Sequence, residues 1–199
     1  MDNILKIFKK NNINNSLYFL PIITMFILTN LINLVLIISQ NIVICSCIYV
    51  LLVFTANLMS ELSGKRKTIQ TLIICILVNT PLLFNINYHI NGNKINGILL
   101  GSLISIIISI YCGVSLFSKL KSIDNFHIKN LLSLLVCSVV DSITMSVFLL
   151  LNTLSINKIT FIFICDLIFK FSYSLTMSFC LMCSIYLLHQ VKNRSTSLN

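Results

Sequence analysis

Apolar residues run in long blocks along this chain, and short polar clusters break the blocks at intervals of about one membrane thickness. A helix crossing a bilayer needs roughly 20 mostly apolar residues. Six such stretches are legible, at about 17–38, 42–60, 68–87, 97–117, 130–151 and 159–188. The division between the first two rests on the short break Ser39-Gln40-Asn41; nearly continuous hydrophobicity there is also compatible with a re-entrant segment. No strand-like alternation runs through the blocks, and in lipid only helices or closed barrels satisfy the backbone. The expected fold is therefore all-α: one polytopic membrane domain over 1–199, without linkers, low-complexity tracts or a convincing internal repeat.

Composition agrees. The chain is 57% hydrophobic and 10% charged, whereas soluble domains carry about 25% charged residues. Such a chain cannot cover a water-facing surface. The first apolar run is too long for a cleaved signal peptide and reads as a retained helix. A net charge of +9 could suggest nucleic acid, but the basic residues are confined to short segments between apolar runs. They read as topology signals. Lys6, Lys9 and Lys10 precede the first span, Lys65, Arg66 and Lys67 follow the second, Lys119, Lys121 and Lys129 separate the fourth from the fifth, and Lys192 and Arg194 follow the sixth. With six spans all of these fall on one side, and the other side holds only Lys94 and Lys158. The positive-inside rule then places both termini in the cytoplasm. The outer loop Tyr88 to Asn96 contains Asn91-Gly92, a tight-turn signal.

Polar residues inside the spans carry the functional signal, because a charge at the centre of a membrane helix costs about 2.5–3.5 kcal/mol on insertion scales. Asp141 lies mid-span, with Ser138 and Ser142 on the same face, and has no opposite charge on its own helix. It requires an interhelical partner, a proton or water. Asp166 and Lys170 stand four apart, the acidic-then-basic order of a helical ion pair; Lys170 could equally answer Asp141 or Glu61. Glu61 is read either as pairing with the adjacent basic run or as part of a polar pathway. Asn30 and Asn33 share a face of the first span. In the third, Pro81 predicts a kink whose freed carbonyls Asn79 or Thr80 could satisfy. Ser102, Ser105, Ser109 and Gly113 form a small-residue stripe in the fourth, better suited to close helix packing than to ligand contact. The eight cysteines all lie in apolar segments. Cys45-x-Cys47 and Cys180-x-x-Cys183 have metal-like spacing, but with no histidine or second pair nearby they read as packing residues. No H-E-x-x-H, G-x-S-x-G or P-loop motif is present, and the three histidines are scattered. Neither an enzyme nor a cofactor is expected.

Three motifs resemble the queuosine precursor transporter family, collinear from roughly Asn30 to Met177. The family's T-D-x-x-S-E-x-Y-G-K corresponds to Ala56-Asn57-Leu58-Met59-Ser60-Glu61-Leu62-Ser63-Gly64-Lys65. Its S-Q-x-x-D-x-x-x-F-x-x-L-K corresponds to Ser109, Ile110, Gly113, Phe117, Leu120 and Lys121. Its R-N-x-x-S-x-x-x-S-Q-x-x-D-S is matched by Lys129, Asn130, Ser133, Cys137, Ser138, Asp141 and Ser142. Lys170 and Thr176 fit the last helix, where Met177 replaces a proline. Asn57 stands at the family's acidic position, Ile110 and Gly113 replace a glutamine and an aspartate, and Ser138 replaces a glutamine. The resemblance implies a six-helix importer of the bacterial inner membrane, with a 7-deazaguanine base as solute and the lipid bilayer as its other partner; self-association into a homo-oligomer is compatible with it. By that reading Asp141 hydrogen-bonds the solute or carries a proton. Asn57, Asn79, Ser109, Ser138 and Ser142 line the site with Glu61, and Lys170 balances charge.

Overall fold

A computed structural model describes residues 16–38, 42–79, 88–90, 93–95, 98–120, 123, 125–151 and 155–196. Among them are six helices: α1 (Ser16–Ile38), α2 (Ile42–Ser63), α3 (Lys65–Asn79), α4 (Ile98–Lys119), α5 (Phe126–Leu151) and α6 (Ile156–Thr196). Four contain stretches long and apolar enough to cross a membrane, at Val43–Ser63, Gly101–Lys119, Phe126–Leu150 and Ile156–Cys183, and α1 adds the shorter apolar stretch Phe19–Val35. The chain is a helical membrane protein. Its exposed large side chains, such as Leu20, Ile74, Leu77, Val147 and Phe161, face outward, where lipid replaces water.

The expected outer loop carries a short hairpin. Tyr88–Ile90 (β1) pairs antiparallel with Asn93–Ile95 (β2), Ile90 opposite Asn93. The segment is polar and sits between spans, so a hairpin satisfies its backbone where a helix would have no apolar face to bury. Asn91-Gly92, Pro81, Thr80 and Lys6, Lys9 and Lys10 lie outside the described residues.

Helix ends follow local chemistry that hydropathy alone misplaces. α2 runs on to Ser63 and stops because Gly64 takes φ 86, a left-handed conformation that glycine adopts without steric cost. Its N–H donates to Ser60 O at 3.0 Å and Thr68 Oγ1 donates to its carbonyl at 3.1 Å, so one residue joins α2 to α3. α5 starts at Phe126 because Asn125 Oδ1 accepts from His127 N at 3.1 Å, an N-cap. α6 has neither glycine nor proline over its 41 residues. It extends ~60 Å, about twice the bilayer's hydrocarbon thickness.

α2 is the central helix and touches all five others. Its buried Tyr49, Val50, Leu52, Val53, Ala56 and Met59 occupy several faces and form the core with Met25, Ile32, Leu72, Ile106, Ile110 and Leu134. α4 packs most closely on α5. A Cβ on Gly113 would lie 1.9 Å from Cys137 Sγ, and one on Gly101 2.8 Å from Phe148. The small-residue stripe therefore serves helix approach, as its spacing suggests. α6 packs chiefly on α5 and α2 and leaves Ile164, Ile168, Leu175, Phe179 and Met182 exposed.

Candidate functional site

Polar side chains between α2, α4, α5 and α6 form a seam along the bundle, largely buried and open to the exterior at Glu61. On α2 they recur at helical spacing as Ser46, Tyr49, Asn57 and Glu61, a rise of ~22 Å. α5 meets them in reverse order: Ser142 and Asp141, then Cys137, Ser133, Asn130 and Lys129. Side-chain pairings thus make α5 antiparallel to α2, α4 and α6. That arrangement puts Lys65, Arg66, Lys67, Lys119 and Lys129 at one end of the bundle and Lys158 at the other.

At the centre is a charged cluster. Lys170 Nζ lies 2.6 Å from Asp141 Oδ2 and also donates to Asp166 Oδ2 and, at 3.3 Å, to Ser142 Oγ. Both partners left open for Lys170 within this region, Asp141 and Asp166, are engaged at once. Ser105 Oγ lies 2.5 Å from Asp141 Oδ1, Ser142 Oγ donates to Asp166 Oδ2 at 2.5 Å, and Ser46 Oγ donates to Asp166 Oδ1 at 2.9 Å. The ring of Tyr49 stands 4.9 Å below the ammonium, close enough for a cation–π contact, and its hydroxyl donates to Cys137 O at 3.0 Å. Four helices are tied together at this point.

About two to three turns toward the basic end is an amide cluster. Asn57 Nδ2 donates to Asn130 Oδ1 at 2.9 Å and Ser133 Oγ donates to Asn57 Oδ1 at 3.0 Å. Asn130 Nδ2 is buried without a partner. At the end of the seam Lys129 Nζ sits 3.3 Å from Glu61 Oε2 and 5.2 Å from the Phe117 ring. Glu61, exposed at the end of α2, therefore pairs across to Lys129 of α5 rather than with the adjacent run Lys65-Arg66-Lys67. Phe117 in turn meets Phe126 edge-on, ring centres 5.6 Å apart.

The expected site residues are thus separated. Asp141, Ser142 and Lys170 come together, Asn57 belongs to the amide cluster, and Glu61 closes the end. Ser138 hydrogen-bonds backward to Leu134 O at 2.8 Å, the usual alternative for a helical serine, and joins none of the clusters, whereas Ser109 bonds back to Ile106 O at 3.1 Å and also reaches the Tyr49 hydroxyl beside the charged cluster. Asn79 lies apart between α1 and α3, donating to Thr29 Oγ1 at 3.1 Å. Asn33 shares that α1 face with both its amide atoms unpartnered, while Asn30 bonds back to Phe26 O. Sequence reasoning missed Ser46 and Tyr49. Their spacing of three, in register with Asn57 and Glu61, was the available signal. It treated Ser105 as packing alone. Among the described residues no group of three or more His, Cys, Asp or Glu could hold a metal ion, and Cys180 and Cys183 are exposed thiols.

The arrangement offers buried donors, acceptors and paired charges in file, which suits passage or storage of a polar species across an apolar layer. No protein-family model, curated protein or solved structure matches the chain.

Proposed function

We propose that the chain is a small-solute importer of the bacterial inner membrane, crossing it six times with both termini in the cytoplasm. Its proposed solute is a queuosine precursor or queuine-like 7-deazaguanine base, moved by alternating access and not chemically altered. The observation that carries this reading is the polar seam. Lining four packed helices with Asp141, Asp166, Lys170, Asn57, Asn130, Glu61 and Lys129 is costly in lipid and unnecessary for helix packing alone, which small apolar residues achieve. The solute class rests on the motif resemblance around Glu61, Asn130, Asp141 and Ser142. Amide and carboxylate side chains suit the hydrogen-bonding edges of a purine-like base.

Complementation tests it. A host lacking both synthesis and uptake of the precursor is given a limiting supply, and queuosine in its tRNA is measured. The native chain restores the modification, and Asp141→Ala abolishes the restoration. If Asp141→Asn and Asp141→Ala both leave uptake unchanged at normal expression, Asp141 has no place in the site.

One observation favours a second reading, a non-transport membrane subunit or a binding component energised by another protein. Most seam groups already satisfy one another, as a purely structural network would. Failure of complementation by a chain verified in the membrane supports that alternative.

A further inference from the structure

The central charges do not balance. Two carboxylates meet one ammonium, with side-chain exposures of 8% for Asp141, 14% for Asp166 and 4% for Lys170. All three lie on stretches apolar and long enough to span a bilayer. Fully ionised, the group carries one excess negative charge. Among the described residues, the ionisable groups around it supply no second cation. α2 contributes the Tyr49 ring and the Cys45 thiol, which is within electrostatic reach of Asp166 and Lys170. α5 contributes the Cys137 thiol near Asp141, and α4 brings only the hydroxyl of Ser105. Lys129 is engaged with Glu61, twelve residues along α5 from Asp141 and therefore ~18 Å away. An uncharged lysine would only widen the deficit. An unbalanced charge out of water is normally removed by neutralisation, and two carboxylates sharing one site resist joint ionisation.

The contacts around Asp141 show where such a proton fits. The Ser105 hydroxyl has one hydrogen but lies within bonding distance of two oxygens of Asp141, the backbone O at 3.0 Å and Oδ1 at 2.5 Å. It can donate to only one of them. A hydrogen on Oδ1 is compatible with both contacts: the carboxyl donates to Ser105 Oγ, and Ser105 donates to the backbone carbonyl. The 2.5 Å separation suits an O–H···O bond. Oδ2 still accepts from Lys170, whose three N–H groups are directed to Asp141, Asp166 and Ser142. Asp166 remains the single carboxylate, accepting from Lys170, Ser142 and Ser46.

We propose that the Asp141–Lys170–Asp166 centre binds one exchangeable proton, carried on the Asp141 carboxyl and directed at Ser105. The step is a simple transfer. Water at one face gives a proton to Asp141 Oδ1, no electrons move, and release to water at the other face restores the net negative charge. The protonated centre is neutral and stable when closed off from water, whereas the deprotonated centre is stable only when hydrated. Use of this proton to drive solute movement rests on the importer reading; the binding itself does not.

The test is carbon-13 NMR of the full chain in lipid nanodiscs, labelled at the aspartate carboxyl carbon. The chain has four aspartates, Asp2, Asp124, Asp141 and Asp166, so single Asp→Asn variants assign the signals. If Asp141→Asn does not insert, Asp141 is assigned by elimination from the other three. At pH 7 the native chain is expected to show Asp141 as the acid and Asp166 as the carboxylate. Two carboxylate signals overturn the proposal, and an acid signal assigned to Asp166 overturns the placement on Asp141. In Asp166→Asn, Asp141 alone balances Lys170, and its acid signal is expected to be lost at pH 7; persistence of that signal overturns the charge balance as the cause. Restored queuosine with two carboxylates would sink this inference and spare the importer. A protonated Asp141 in a chain that fails complementation would do the reverse.

Discussion

Lys170 is the residue on which most of the buried polar network depends. Its ammonium is shared between aspartate side chains on two helices and rests on an aromatic face from a third. Removing one partner of a buried ion pair typically costs about 3–5 kcal/mol, because the charge left behind is uncompensated. Lys170→Met is therefore expected to lower thermal stability in detergent by about that amount. Adding Asp141→Asn and Asp166→Asn to the same chain should recover a large part of the loss, since residues in one network are not additive. A triple variant no more stable than Lys170→Met would show that the lysine acts through packing alone. The Asp166–Lys170 pairing was legible in the chain from its spacing of four. The third member, Asp141, stood open against Glu61, because nothing in the local pattern says which face of one helix meets which face of another.

Two glycines have opposite reasons at the level of elements, and substitutions separate them. At Gly64 a Cβ meets nothing, but φ is +86, so Gly64→Ala is expected to cost about 1–2 kcal/mol through backbone conformation. At Gly113 the backbone is helical and the space is filled by Cys137 and Ser133. Gly113→Val is expected to push α4 from α5, with an overpacking cost of about 1–3 kcal/mol, and pairing it with Cys137→Ala should restore part of the melting temperature. No rescue by Cys137→Ala would locate the clash elsewhere. The stripe of Ser102, Ser105, Ser109 and Gly113 announced a close helix contact. It did not reveal that Ser105 also reaches a carboxylate, a double role that depends on α5 presenting Asp141 at that level.

For the whole molecule, the side-chain pairings put the described basic clusters at one end of the bundle, and the proposed topology makes that end cytoplasmic. Green fluorescent protein fused after Asn199 is expected to fluoresce, and alkaline phosphatase fused at the same point to be inactive. The opposite pair of results would reverse the orientation. The Glu61–Lys129 pair closes the seam at that end, so the charge exchange Glu61→Lys with Lys129→Glu should retain more uptake than either single reversal. Equal loss in all three would remove the pair from any part in closure. α6 continues past the bilayer thickness because its sequence contains no glycine or proline, and its apolar part, Ile156–Cys183, ends before the helix does.

By itself the sequence determined the membrane class, the places where helices form and the segregation of basic residues, because hydrophobic block length and charge are local properties that lipid reads directly. It also identified Asp141, Lys170 and Glu61 as costly residues requiring explanation. Only the tertiary structure decided which of them meet. Rotation of each helix about its axis brought Ser105, Asp141, Ser142, Asp166, Lys170, Ser46 and Tyr49 to one level, sent Glu61 to Lys129, and left Asn79 and Ser138 outside. Long-range pairing of helix faces is set by packing of whole surfaces around α2, and no window along the chain contains that information.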